Sequence, residues 1–167
     1  MVSIEWCCKQ KDGIRLIEQN ENLSQGYIKM AEASIGTMTR EKDYNLMFAI
    51  SACYYSMYYS LYAILMRLGI KCEIHSCTLE FMKLALSDFY SEQDIKTIKK
   101  AFNLRNIAQY YIDKIIEKKE SDFIIGQAPL FLEKSKQALS KINENDIKQI
   151  RDKIIDIKEK RGNKKGD

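Results

Sequence analysis

Proline is almost missing from this chain. Pro129 stands alone among 167 residues, and there are only seven glycines. Sheet-rich folds need more turn punctuation than that, whereas helical bundles manage with little. Histidine is equally scarce: His75 is the single one, so any Ser–His, Cys–His or two-histidine mechanism would have to run through it. Glycine-rich phosphate loops, acidic pairs at metal spacing and a Gly-x-Ser-x-Gly elbow are all absent, which removes support for most familiar enzyme classes. The opening Met-Val-Ser-Ile-Glu-Trp has no basic stretch before an apolar one, so no export signal is expected. The five cysteines (Cys7, Cys8, Cys53, Cys72, Cys77) form no Cys-x-x-Cys pair. An odd set in a chain read as cytoplasmic is expected to be free thiols. Charge of either sign is not in large excess: 27 Lys+Arg against 23 Asp+Glu leave +4. That suits a phosphate-bearing partner but is far from a nucleic-acid coat.

What remains is rich in Leu, Ile, Met, Lys and Glu, residues tolerated or favoured in helices. The expected fold class is all-α: an up-and-down antiparallel helical bundle with an N-terminal arm and an additional C-terminal helix. Residues 1–21 read as an arm packed on the body through Trp6, Ile14 and Leu16, with Gly13 as a bend. A first helix is expected from near Asn22, with Gln25 as reciprocal cap partner, ending near Gly36. The central helix, about Asp43 to Leu68, repeats Tyr44, Met47, Ser51, Tyr54, Tyr58, Leu61 and Leu65 at three- and four-residue steps. Its length would span a membrane, but Ser51, Ser56, Ser60, Arg67 and its tyrosines make it a buried bundle helix instead. Gly69 is placed to end it in the left-handed conformation.

A shorter helix, Cys77 to Leu86, comes next, then a long one capped by Ser91 with Asp94 and carrying Ile95, Ile98, Phe102, Ile107 and Tyr111. Pro129 is expected in the first turn of a following helix that opens at Gln127 or Ala128. A last helix, from near Asn143 with Asp146 closing its cap, carries Ile147, Ile150, Ile154 and Ile157. The divisions expected are thus 1–21 arm, 22–142 bundle, 143–161 C-terminal helix and 162–167 disordered tail.

Three places invite chemistry. The segment Cys72-Glu73-Ile74-His75-Ser76-Cys77 offers thiolates and an imidazole, but a closed zinc site wants four such groups and no second ligand pair exists. No metal and no cofactor are expected, and Cys72 and Cys77 should be free. Tyr54, Tyr55, Tyr58, Tyr59 and Tyr62 crowd one helix; rings can stack on bases, but at helical spacing most read as core. The third place is Leu104-Arg105-Asn106-Ile107-Ala108-Gln109-Tyr110-Tyr111. Arg105 and Gln109 share a helix face one turn apart, and a guanidinium flanked by amides can read an anion or a base edge. The alternative is a buried Arg105 paired to a carboxylate such as Asp43 or Asp113.

The run Ser51 to Ala63, followed by Leu68-Gly69-Ile70-Lys71 and His75-Ser76, resembles the central helix and following loop of HEPN domains. Arg105 to Tyr110 resembles that family's signature on its later long helix, and Ala128-Pro129-Leu130-Phe131-Leu132 the opening of the helix after it. The similarity covers roughly residues 22 to 142 and lies with the small stand-alone prokaryotic members. It implies a bundle of four to five helices, a homodimer, and in many members a metal-independent ribonuclease motif of Arg, a polar residue, a gap and His. Arg105 and Asn106 match the first two positions, but Tyr110 stands where the family has His. Histidine suits proton transfer at neutral pH, whereas a phenol of ordinary pKa, about 10, does not. No catalytic residue is therefore assigned. The resemblance implies a non-catalytic protein whose dimeric cleft, with Arg105, Asn106, Gln109 and Tyr110, binds nucleotide, RNA or a partner. It also implies a toxin–antitoxin setting with a minimal nucleotidyltransferase as partner. A ribonuclease toxin using Arg105, with Tyr110 or His75 assisting, and a plain dimerisation module are the alternatives.

Overall fold

Asn45 starts the central helix of the bundle by accepting a hydrogen bond from Phe48 N on its side-chain oxygen, 3.3 Å away. Gly69, in the left-handed region at φ 67°, ends it. Between them runs α3, Leu46–Leu68, whose side chains are buried on nearly every face from Ala49 onward. A helix apolar all round must be wrapped by others. The computed structural model, which describes residues 2–111 and 113–159, supplies them. They are α1 (Ile4–Cys7), α2 (Glu21–Glu41), α4 (His75–Ala85), α5 (Glu92–Tyr110), α6 (Lys118–Lys141) and α7 (Glu144–Glu159). The chain is all-α apart from a two-stranded antiparallel ribbon, β1 (Arg15–Leu16) with β2 (Ile70–Lys71).

Ion pairs give the directions. Glu21, opening α2, meets Arg67 at the end of α3, so these helices are antiparallel. Asp94 in early α5 pairs with Lys134 in late α6, and Lys100 pairs with Glu120 farther up α6, so α5 and α6 are also antiparallel. Late α6 lies beside late α3 across the groove holding Arg67, Lys136 and Leu139. The helix carrying Arg105 therefore runs antiparallel to α3 and packs against it. No helix among the described residues is long and apolar enough to cross a membrane.

Several local expectations give way to packing. The cap of α2 is Asn20, not Asn22; its side chain accepts from Leu23 N at 2.9 Å. Gln25 bonds the Glu21 side chain instead. The helix passes through Gly36 because Met38, buried in the core, holds one more turn down, and that packing outweighs the ~1 kcal/mol preference against glycine. Pro129 does not open a helix; it sits inside α6 on an exposed position. Buried Ile124, Ala128, Phe131 and Leu132 on both sides keep the helix continuous past the missing N–H. The α4 helix begins at His75, two residues before the expected Cys77. Ser91 and Asp94 do form the reciprocal capping box, as do Asn143 and Asp146. The expectation for residues 162–167 falls outside the described residues.

Of the three anchors expected for the N-terminal segment, Ile14 and Leu16 pack on the core and Trp6 does not. Trp6 is 42% exposed, whereas Cys7 and Ile14 are fully buried. Gly13 is required because a Cβ there would stand 1.9 Å from the Cys7 carbonyl oxygen. Cys77 is not free: it forms a disulfide with Cys7 across 70 residues, with Cα atoms 5.4 Å apart. Sequence spacing hides this pairing, which exists because β1 and β2 bring the arm to the start of α4. Cys8, Cys53 and Cys72 are thiols.

Candidate functional site

Tyr54 and Tyr55 are adjacent on α3 and therefore diverge around the helix, one into the core and one to its rim. Tyr54 is fully buried, and burial raises its phenol pKa far above the ordinary value. Tyr55 is partly exposed, and its hydroxyl accepts a hydrogen bond from Arg105 Nη2 at 2.6 Å. Arg105 arrives from the last turns of α5, where the antiparallel packing sets it opposite the first half of α3. Its Nη1 donates to Asn106 Oδ1 at 3.0 Å. The guanidinium carbon lies 5.3 Å from the Tyr55 ring centre, 5.5 Å from Tyr110 and 6.0 Å from Tyr54.

The charge balance is the telling part. No carboxylate among the described residues pairs with Arg105, so neither Asp43 nor Asp113 takes the role open to it in the sequence. The buried Nε has no hydrogen-bond partner among the described residues. A half-buried guanidinium held by phenols and an amide keeps its whole positive charge for water or an anion. Asn106 shares in the arrangement, and Tyr110, 66% exposed, forms its outer wall. Gln109 is exposed one turn from Arg105.

His75, which sequence separation hid, belongs to the same cluster. It is the first residue of α4, and its ring stacks on Tyr58 with centroids 4.3 Å apart and 14° between planes. Phe102 of α5 lies 6.0 Å away on a near-parallel plane. The Tyr54 hydroxyl hydrogen-bonds His75 Nδ1 at 2.5 Å. Burial, then the Arg105 charge, lowers its pKa below the usual histidine value, which favours the neutral ring. The signal that could have found Tyr55 is its four-residue spacing from Tyr59 on a rim stripe. Nothing in the sequence brings His75 to Arg105; only the loop closed by β2 does.

Cys72, His75 and Cys77 do not form a metal centre. Among the described residues no group of three or more His, Cys, Asp or Glu side chains could hold an ion, and Cys77 is spent in the disulfide.

Exposed apolar side chains gather near this end of the bundle. Tyr44 (91% exposed) and Phe48 (65%) stand on the α2–α3 turn and the start of α3, and Tyr111 and Ile115 (93%) follow α5. A groove between Leu46 and Ile116 shows the two segments side by side.

The sequence profile of the HEPN domain matches residues 24–139, a stretch holding α3, α5 and Arg105. A protein of Methanocaldococcus jannaschii named "Putative toxin MJ0142" is 33% identical over 106 residues, 60% of this chain and 69% of that one.

Proposed function

The chain belongs to the HEPN domain family, and from that premise we propose that it is a non-catalytic HEPN protein binding RNA or nucleotide phosphate at Arg105. One observation carries the reading: a preorganised guanidinium, walled by Tyr55 and Tyr110, that no described carboxylate neutralises. Phosphate oxygens are the acceptors such a group is built for. Asn106 and Gln109 are the polar neighbours able to bond a base or sugar. The protein acts as a homodimer, with Tyr44, Phe48, Tyr111 and Ile115 as the apolar patch that a second copy covers, since monomers rarely leave such patches open. The similarity to a protein named as a toxin supports a toxin role; in this proposal a minimal nucleotidyltransferase is the partner enzyme.

A ribonuclease reading is favoured by one specific contact. Tyr54 joins His75 to the aromatic wall on which Arg105 rests, so a neutral imidazole and a cation stand in one cluster, as metal-free phosphate chemistry needs.

The test titrates labelled RNA and a nucleotide panel against wild type and Arg105→Ala at fixed salt, with thermal melts and light scattering beside it. Binding by a folded dimer that Arg105→Ala abolishes is the expected result. RNA cleavage in chelator by wild type, lost in both Arg105→Ala and His75→Gln, would replace this reading with the ribonuclease. An earlier melt with no binding by either form would make Arg105 structural.

A further inference from the structure

The start of α4 has no cap of its own. Ile74 stands at the N-cap position and offers no side-chain hydrogen bond to the first turn. A helix start without one is weaker, and at 11 residues α4 is too short to persist as a helix alone. What anchors its first turn is Cys77, its third residue, through the bond to Cys7. The arm on the other side of that bond is slight. Its helix α1 spans only Ile4–Cys7. Behind it, the two-residue ribbon, Glu73 N donating to the Asp12 carbonyl at 2.8 Å, and the Arg15–Glu73 ion pair tie the arm to the loop before α4. The central helix α3 packs chiefly against α2, α5 and α6, none of which the disulfide touches.

His75 opens the turn that Cys77 anchors. Its ring lies on Tyr58, its Nδ1 meets the Tyr54 hydroxyl, and the Arg105 guanidinium stands over the Tyr54 ring. Movement of this turn therefore carries the imidazole away from Tyr54 and from the Arg105 charge. Two thiols border the bond. Cys8 adjoins Cys7, and Cys72 precedes α4; burial above all raises both thiols above their ordinary pKa. Little of either is thiolate at neutral pH, so the native pair exchanges with thiols from outside rather than rearranging.

We infer that the arm is a redox latch on α4: closed as Cys7–Cys77 it seats His75 against Tyr54 beside Arg105, and when a small dithiol reduces it that turn is released while the bundle stays folded. In the exchange a thiolate of the dithiol attacks one sulfur of the pair. The other sulfur leaves as thiolate and takes up a proton. The second thiol of the reductant then closes on the mixed disulfide and frees the second cysteine. Two electrons pass to the protein, and the reductant ends as a cyclic disulfide. The latch stands whether or not Arg105 binds phosphate.

His75 is the single histidine, so proton NMR of the native protein follows one imidazole, titrated between about pH 5 and 8. The samples are wild type without and with excess dithiothreitol, and Cys7→Ser, with alkylation under native conditions beside them. In the oxidised protein the imidazole titrates below the ordinary histidine range. Dithiothreitol moves it up toward about 6.5, and Cys7→Ser titrates like the reduced protein with or without reductant. Cys7 and Cys77 take up the alkylating reagent only after reduction, whereas Cys53, fully buried in α3, stays protected and reports an intact bundle. An imidazole unmoved by reduction overturns the latch, as does a bond that resists dithiothreitol in the folded protein. Cys53 labelling as fast as Cys77 would show global opening and make the disulfide a structural staple. The wild-type comparison decides all three without any variant.

Discussion

Reducing the Cys7–Cys77 disulfide should weaken this fold more than any surface change. The bond closes a loop of 70 residues, and the loss of chain entropy from so large a loop corresponds to about 4 kcal/mol in the chain-entropy model. Both cysteines are fully buried, so their packing persists in part after reduction. For a chain of this size that free energy is roughly 8–15 °C in Tm. The assay is urea unfolding of native protein with and without a phosphine reductant, beside the Cys7→Ala/Cys77→Ala double variant. The variant should unfold near the reduced wild type and ignore the reductant. A peptide map under non-reducing conditions should yield one linked pair, Cys7 with Cys77, and leave Cys8, Cys53 and Cys72 alkylatable. Coincident curves with and without reductant, or a map showing Cys7 and Cys77 free, refute the reasoning. The effect reaches the site, because Cys77 anchors the first turn of α4, which begins with His75.

Two further outcomes follow from particular contacts. Gly69→Ala puts a Cβ 2.3 Å from Arg151 Nη1 in a left-handed backbone. It should cost about 1–2 kcal/mol for the backbone alone, and more as Arg151 loses its bonds to the Ile17, Leu68 and Gly69 carbonyls; a urea midpoint unchanged from wild type would contradict this. His75 has a folded-state pKa below its unfolded value. Its contribution is therefore complete above about 6.5 and fades as pH falls through the lower folded value. His75→Gln should flatten the decline in stability between pH 7.5 and 5.5; equal declines in variant and wild type would show that the imidazole is not the group responsible.

The bundle was legible because its signals are local. Ser91 with Asp94, Gly69, and the stripes of α3 and α5 each act within a turn or two of chain, and tertiary packing agrees with them. Pro129 and Gly36 misled for the converse reason: each breaks a local rule where buried neighbours such as Phe131 and Met38 override propensity. The contacts that join distant segments carried no sequence signal. Cys7 meets Cys77 and Tyr54 meets His75 only after β1 and β2 fix the arm and the loop. In the candidate site Arg105, Asn106 and Tyr110 were readable as one helical cluster. The neutrality of Arg105's surroundings was not, since the sequence offered Asp43 and Asp113 equally well.

The central claim is that Arg105 spends its charge on phosphate, and salt dependence reads that directly. The slope of log Kobs against log salt for a single-stranded RNA should shrink by about 0.7 for each Arg105 that contacts the strand when Arg105→Ala replaces wild type, with the variant folded and dimeric by melt and light scattering. An unchanged slope and affinity, with only a lower Tm, would contradict the account and make Arg105 a structural residue.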